Sequence, residues 1–257
     1  MSGGQNRVNR SEPGRKLIVA IDGPAGAGKS TIARHVARHF GLLNLETGAM
    51  YRAFALKALR KEISLDDGKA LEGLAQETEI RLEPGGTENI VLLDGEDVTG
   101  LIRNPTVTDA ASRVSVFPAI RAWMVRRQQE LGAKGGVVME GRDIGTVVFP
   151  HAEVKIFLDA APEVRGQRRF DQLGGRGSGI TGSSGADASS GRQSTPEWEQ
   201  IVRDLRARDE RDRNRADSPL KPAPDAVLLD STQMTLEEAV AAAEAIIEAK
   251  LSPAARR

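Results

Sequence analysis

The sequence predicts an α/β protein in which a five-stranded parallel sheet is flanked by helices. Apolar runs of strand length occur at residues 17–21, 42–48, 136–140, 154–158 and 227–229. Helical patterns alternate with these runs, and the connections are short, which is typical of a doubly wound sheet. A glycine-rich turn joins the first strand to the first helix, and in such folds ligands bind at the carboxyl ends of the strands.

That turn, GPAGAGKS at residues 23–30, matches the phosphate-loop pattern G-x-x-x-x-G-K-[S/T] at every specified position. Its glycines can adopt positive φ, so backbone N–H groups can point at phosphate oxygens, and the following helix, predicted over 31–40, adds its positive end. Lys29 would reach the terminal phosphates, and the Ser30 hydroxyl would help to hold a magnesium ion. The motif therefore predicts a site for a nucleoside polyphosphate.

Composition limits the other classes of function. The chain has 257 residues, 39% of them apolar, which suffices for one α/β unit with an inserted piece. Because 36 basic residues balance 36 acidic ones, no overall field attracts nucleic acid or an anionic membrane, and we expect neither as a partner. The chain has no cysteine, which fits a reducing cytoplasm. Residues 1–15 lack an apolar segment, so we expect a flexible lead-in instead of a signal peptide, and a cytoplasmic protein.

The sequence pattern of residues 62–103 differs from that of the rest of the chain. A short helical pattern near 66–77 is followed by three strand-like segments, which PGG and DG turns separate. This pattern predicts a small antiparallel insert. Helices are predicted after it, over 105–116 and 118–131.

Polar residues next to two of the strands are candidates for a second binding surface. Tyr51 and Arg52 lie at the start of the helix predicted over 49–61, where a ring could stack and a guanidinium could bind phosphate. Tyr51 could equally be a core aromatic residue. Arg142 and Asp143 follow the strand at 136–140 directly, and this position favours a ligand site over a structural salt bridge.

The region after residue 160 contains two arginine-rich helical patterns separated by a stretch rich in glycine and serine. Arg165 and Arg168 lie in the first pattern, and residues 174–194 are too poor in apolar side chains to order themselves. In the second pattern, the spacing of Arg208, Arg211, Asp212 and Arg215 predicts one helical face that could converge on phosphates. The alternative is a solvated helix with i,i+4 charge pairs.

The segments LETGAMYR, DAASRVS, FPAIR, EGRDIGTVVFP, VKIFLDA and RDERDRNRA, together with the phosphate loop, resemble bacterial cytidylate kinase, a family of P-loop nucleoside monophosphate kinases. The resemblance covers nearly the whole chain. It implies a single kinase domain over 16–257, with residues 62–103 as the insert of the monophosphate-binding region and 165–200 as a helical lid that includes the 174–194 stretch.

The resemblance also implies transfer of the γ-phosphoryl group of ATP to CMP or dCMP with Mg²⁺, by a monomeric enzyme. The implied ATP-binding residues are Gly23, Pro24, Ala25, Gly26, Ala27, Gly28, Lys29, Ser30 and Thr31. The implied CMP-binding residues are Thr47, Tyr51, Arg52, Ser112, Arg121, Arg142, Asp143, Arg208, Asp212 and Arg215. The implied catalytic residues are Lys29, Arg165, Arg168 and Arg208, and the implied metal ligand is Ser30.

Three positions depart from the usual pattern of that family: Glu46 with Thr47 replaces Asp-Ser, Glu140 replaces Asp, and the 174–194 stretch is longer. We expect little change from the first, and we leave open the role of Glu140 and the choice between CMP and dCMP. Two alternatives compete with this function. Another small-acceptor P-loop kinase, such as uridylate or shikimate kinase, would differ in the acceptor surface. A GTP-dependent switch is disfavoured because the chain lacks [N/T]-K-x-D, and its DQLG lies in the lid.

Overall fold

The computed structural model describes residues 16–83, 85, 89–172 and 196–252. The predicted lead-in at 1–15 and the glycine- and serine-rich stretch at 174–194 lie outside the described residues. The strands are β1 (Ile18–Asp22), β2 (Leu43–Glu46), β3 (Ile80–Glu83), β4 (Ile90–Leu93), β5 (Glu96–Asp97), β6 (Val137–Gly141), β7 (Val154–Asp159) and β8 (Val227–Asp230). The α-helices are α1 (Lys29–Phe40), α2 (Thr47–Arg60), α3 (Gly68–Gln76), α4 (Pro105–Val114), α5 (Pro118–Gly132), α6 (Pro162–Gln172), α7 (Pro196–Arg213) and α8 (Leu236–Leu251).

The main sheet of the described chain has five parallel strands in the order β2-β6-β1-β7-β8. This confirms the predicted fold class. Strands β1 and β6 are buried along their whole length, which explains why both are continuous apolar runs in the sequence. Because β1 and β6 are neighbours, the loops after their carboxyl ends lie side by side, and these are the phosphate loop and the segment with Arg142 and Asp143.

Helices cover both faces of this sheet. On one face α2, α4 and α5 bury large side chains such as Phe54, Met124 and Trp123 against the strands. On the other face α1 and α8 pack against β1 and β7, with Val36 and Ile247 fully buried. The sheet is therefore held rigidly between two apolar layers, which fixes the positions of its strand ends.

The insert contains a second sheet within the described residues, with antiparallel strands in the order β3-β4-β5. Its apolar side chains join the same core as α2, since Leu82 and Val91 are buried there. The prediction of a small antiparallel insert is therefore confirmed. None of the helices in the described part of the chain is long and apolar enough to cross a membrane.

Helix boundaries differ from the sequence predictions at functional positions. Helix α2 begins at Thr47, two residues earlier than predicted. Helix α7 ends at Arg213. A π-helical turn at Ile144–Val148, which the sequence did not indicate, follows the Arg-Asp pair at the end of β6. Such turns are frequent at functional sites.

Candidate active site

The phosphate loop connects β1 to α1 in a conformation that favours glycine at two positions, through a close approach at Gly23 and a positive φ at both Gly23 and Gly28. Gly23 has φ 149°, and a Cβ atom there would lie 1.9 Å from the Leu158 carbonyl oxygen. Gly28 has φ 98° and is the N-cap of α1, with no side chain satisfying the first N–H groups of the helix. The loop and the helix N-terminus therefore combine backbone N–H groups with a positive helix end, which suits phosphate binding.

Lys29 is the main positive charge of the loop. Its Nζ donates to the Pro24 carbonyl oxygen at 2.7 Å, and the residue is only 5% exposed. Burial, together with the nearby Arg142 and Arg208, lowers the pKa of Lys29 to about 7, against the opposing charges of Glu140 and Asp22. The protein therefore holds a buried ammonium group beside other cations, an arrangement that bound phosphate would stabilise.

This burial predicts a pH-dependent penalty on stability without nucleotide. Lys29 titrates near 7 when folded and near its ordinary 10.5 when unfolded, so the penalty is complete below pH 7 and disappears between pH 7 and 10.5. Lys29→Met should therefore raise the melting temperature of the nucleotide-free protein at pH 6 to 7, by about 2–4 °C or more. The gain should shrink towards pH 10. Thermal unfolding across this pH range measures it, and a variant equally stabilised at every pH would contradict the explanation.

Glu140 connects the phosphate loop with the neighbouring helix. Its Oε1 accepts a hydrogen bond from Ser30 Oγ at 2.8 Å, and its backbone oxygen accepts one from Thr47 Oγ1 at 2.7 Å. Burial raises the pKa of Glu140, against the opposing charge of Lys29. The residue whose role the sequence left open therefore links the residues assigned to the two substrates.

The same oxygens fit a magnesium ion. Mg²⁺ prefers hard oxygen donors and is usually bound through one or two carboxylates together with substrate phosphates. Ser30 and Glu140 supply a hydroxyl and a carboxylate beside the phosphate loop. Among the described residues no group of three or more His, Cys, Asp or Glu side chains could hold a metal. The remaining ligands would have to come from the nucleotide and water.

Arg142 and Asp143 form ion pairs with other elements and not with each other. Arg142 Nε donates to Asp212 Oδ2 at 2.8 Å, so the end of β6 is tied to α7. Asp143 is paired with Arg121 of α5, and both side chains are buried. These pairs bring β6, α5 and α7 together around one polar cluster, and the burial of these charges supports a binding site.

Arg215 extends this cluster. It donates to Asp212, and also to Ser115 Oγ at 2.8 Å, and Ser115 in turn donates to the Ser112 carbonyl oxygen. The neighbouring Arg121 is also buried, and its Nε has no hydrogen-bond partner among the described residues. Ser112 Oγ likewise lacks a partner there. Buried polar atoms without partners are costly, so this cluster is ready to bind a polar ligand.

Arg208 also belongs to this cluster. Burial lowers the pKa of Arg208 to about 10, with Arg142 adding to the effect, while Asp212 opposes it. Its Nε is buried without a hydrogen-bond partner in the described part of the chain. A buried guanidinium whose Nε has no partner among the described residues is suited to bind an anion.

The prediction of one stripe on α7 is partly wrong. Arg208 and Asp212 lie on the helix and share the cluster. Arg215, however, follows the end of α7 and reaches Asp212 from the next segment. Arg211 pairs instead with Asp109 of α4 at the surface, at 3.4 Å, and takes no part in the cluster. The spacing assumed that the helix continued beyond residue 213, which it does not.

The start of α2 lies at the border of the cluster. Arg52 Nη2 donates to Glu46, and Arg52 lowers the pKa of that carboxylate. Tyr51 packs against the apolar core, and burial raises the pKa of its hydroxyl to about 12, with Arg121 and Asp143 among its charged neighbours. The core interpretation of Tyr51 therefore holds for its ring, while its hydroxyl lies near the polar cluster.

The two arginines assigned to the lid contact the phosphate loop. Arg168 Nη1 donates to the Ala27 carbonyl oxygen at 3.1 Å, and its Nη2 donates to the Ser231 carbonyl oxygen. Arg165 is only 2% exposed, and it donates to Ala25 and to Ala160 and pairs with Asp209. In this conformation Arg165 therefore lies behind the loop, and a direct contact with substrate would require these bonds to break.

Sequence reasoning missed two buried carboxylates. Asp22 accepts hydrogen bonds from Ile144 N and Gly145 N at 2.8 and 2.7 Å, so it holds the turn after Asp143 to the start of the phosphate loop. Its position at the end of a buried strand was an available signal. Asp209 contacts the loop from α7. It lies outside the i,i+3,i+4,i+7 pattern that was used to select residues there.

The fold and this site define a class of protein. A phosphate loop at the end of β1 lies beside a cationic cluster at the end of β6, and α2, against which the small sheet packs, begins at the border of that cluster. This is the architecture of a P-loop kinase acting on a small phosphate-bearing acceptor. The described protein thus has the two adjacent sites that a nucleoside monophosphate kinase needs.

The chain belongs to the cytidylate kinase family. The family profile described as Cytidylate kinase matches residues 19–249. The chain is 44% identical to a cytidylate kinase of Pasteurella multocida over 92% of its own length and 97% of the relative. It is 45% identical to one of Solibacter usitatus, over 93% and 95%, and 48% identical to one of Desulforamulus reducens, over 86% and 92%. The resemblance on which the site assignments were based is therefore confirmed.

Proposed function

We propose that the protein transfers the γ-phosphoryl group of ATP to CMP or dCMP, giving CDP or dCDP. The observation that carries this proposal is the bridge at Glu140, which joins Ser30 of the phosphate loop to Thr47 of the acceptor surface through bonds of 2.8 and 2.7 Å. Two phosphate-binding surfaces held this close to each other suit direct transfer between two nucleotides. Membership of the cytidylate kinase family supports the identity of both substrates.

On the donor side, residues 23–31 bind the ATP phosphates through backbone N–H groups and the N-terminus of α1. Lys29 supplies positive charge to the transferring group, and its release from the Pro24 carbonyl lets it follow the phosphate. Ser30, with Glu140 beside it, would hold Mg²⁺. When bound, the ion neutralises charge on the phosphate oxygens.

On the acceptor side, the arginines position the monophosphate and stabilise its charge. Arg142 and Arg215 are held in place by Asp212, and Arg208 keeps a buried donor that has no partner among the described residues. Arg52 is assigned to the same phosphate. Its guanidinium would then bind both this phosphate and Glu46. No nucleophilic side chain is needed, because the acceptor is already a phosphate oxygen, and the reaction depends on alignment and charge neutralisation.

The base-binding role falls to Asp143, Arg121 and Ser112. Arg121 occupies one carboxylate oxygen of Asp143, so the other remains for the exocyclic amino group of cytosine. The buried hydroxyl of Ser112 has no partner among the described residues and could bond to the base edge. Uracil would present a carbonyl oxygen to the carboxylate, which is unfavourable in a buried site.

A panel of acceptors tests this function directly. With ATP and Mg²⁺, a coupled assay of ADP formation should give kcat/KM for CMP and dCMP about 100-fold or more above that for UMP, AMP, GMP and shikimate. Nucleotide hydrolysis without acceptor should be negligible, which also tests the GTP-dependent alternative. Equal activity with UMP and CMP would contradict the proposed base selection. A monomeric state and a cytoplasmic location stay predictions from the sequence.

A further inference from the structure

Two buried side chains hold the backbone of a single residue of the phosphate loop, Ala25, from outside the loop. Arg165 Nη1 donates to the Ala25 carbonyl oxygen at 2.9 Å, and Asp209 Oδ1 accepts from Ala25 N at 3.4 Å. Arg165 and Asp209 also form an ion pair at 2.6 Å. The backbone N–H and C=O of Ala25 therefore both bond to the same charged pair, which comes from α6 and α7.

The Arg165–Asp209 pair is buried, and further contacts hold Arg165 in place. The side chains of Arg165 and Asp209 are only 2% and 4% exposed. Arg165 Nε donates to the Ala160 carbonyl oxygen at 2.8 Å, so the guanidinium is fixed to the end of β7 as well. At the next loop residue, a Cβ atom on Gly26 would lie 3.2 Å from Arg165 Cβ, so α6 packs closely on the loop. Removing one member of a buried ion pair leaves the other charge uncompensated, so separating Arg165 from Asp209 has a large cost in free energy.

We propose that Asp209 and Arg165 are positioning residues that hold the phosphate loop in its ATP-binding form and couple it to α6 and α7. This inference rests on the proposed function, and it replaces the catalytic role that the resemblance implied for Arg165. Both helices contribute residues to the segment assigned to the lid, and the Arg165–Asp209 pair connects them to the Ala25 backbone. The pair acts on the donor side, whereas Asp212, three residues further along α7, acts on the acceptor side.

The test is Asp209→Asn, which keeps the shape and removes the charge. Binding of a non-hydrolysable ATP analogue and of CMP should be measured separately by calorimetry. We expect the dissociation constant of the ATP analogue to rise about 10-fold, and that of CMP to change less than twofold. The matched control is Glu210→Gln on the next, exposed residue, which removes the same charge without a contact to the loop and should change neither constant.

The alternatives predict different results. If the Asp209 charge merely repels the triphosphate, its removal would tighten binding of the ATP analogue. If Arg165 is a catalytic group that Asp209 restrains, Asp209→Asn would raise kcat. If the pair only stabilises the fold, the melting temperature would fall while both dissociation constants of the folded protein stay unchanged. Each of these results would overturn the proposal.

A second variant guards against a poorly folded Asp209→Asn protein. Arg165→Lys keeps the positive charge but cannot bond to Ala25, Ala160 and Asp209 together. This variant should therefore also weaken binding of the ATP analogue more than binding of CMP. The double variant should bind the ATP analogue no more weakly than the weaker-binding single variant does, because both residues act as one unit. The measurement with the ATP analogue uses binding alone, so it remains informative even if the acceptor panel shows a different substrate from CMP.

Discussion

Replacing Lys29 by alanine should lower kcat about 1000-fold or more while the protein stays folded. Lys29 begins α1, lies within the loop, and is only 5% exposed beside Arg142 and Glu140. The loose transition state of phosphoryl transfer needs positive charge at the transferring group, and no other side chain of the phosphate loop carries one. The measurement is steady-state turnover with ATP and CMP, together with circular dichroism and thermal unfolding.

The chain offers a matched control for this variant. Lys155 is also buried, and its Nζ donates to the carbonyl oxygen of a proline five residues earlier, as Lys29 does. Lys155, however, pairs with Asp225, and neither residue is assigned to a substrate. Lys155→Met should therefore affect stability but leave kcat within a few fold. Near-normal turnover of a folded Lys29→Ala protein would refute the assignment of the phosphate loop.

Replacing Asp143 by asparagine should lower kcat/KM for CMP about 30- to 150-fold, which corresponds to about 2 to 3 kcal/mol for a charge-assisted hydrogen bond. The carboxylate accepts from the cytosine amino group, whereas an amide can turn a donor towards the base. UMP should lose much less activity or gain some, because its carbonyl oxygen can accept from that donor. Kinetics with both acceptors on both proteins measure the change in preference.

The ion pair of Asp143 with Arg121 makes a folding control necessary. Asp143→Asn leaves a buried guanidinium without its full counter-charge, so the melting temperature should fall as well. A loss of stability lowers the activity towards CMP and UMP by the same factor, since both depend on the same folded fraction. An equal fractional loss for the two acceptors would therefore mean that Asp143 supports the site and does not select the base.

Much of the site could be predicted from local features of the sequence. The phosphate loop is contiguous, so its residues specify their own geometry, and the structure places Lys29 and Ser30 at the start of α1 as the motif requires. Arg142 and Asp143 were selected because they follow a buried strand, and both lie in the polar cluster. In each case a strand end or a short motif determines where the residue lies.

The ion-pair partners of Arg142 and Asp143 could not be predicted from local features of the sequence. Arg142 and Asp143 are adjacent in sequence, yet their partners are Asp212 and Arg121, which come from two different helices. Arg211 pairs with Asp109 of α4 instead of joining the cluster, and Arg215 reaches the cluster from the segment after the end of α7 at Arg213. Such contacts depend on how helices pack, which periodicity within one helix does not specify.

The sequence by itself determined the order of strands and helices in the described chain, the phosphate loop and the family, because these follow from periodicity, motif spacing and near-contiguous segments. Only the tertiary structure decided that Arg165 bonds behind the loop to Ala25 and Asp209, and that Glu140 bridges Ser30 and Thr47. The physical reason is that a charged side chain buried among several elements takes whichever partners compensate its lost hydration, and packing determines which partners are within reach.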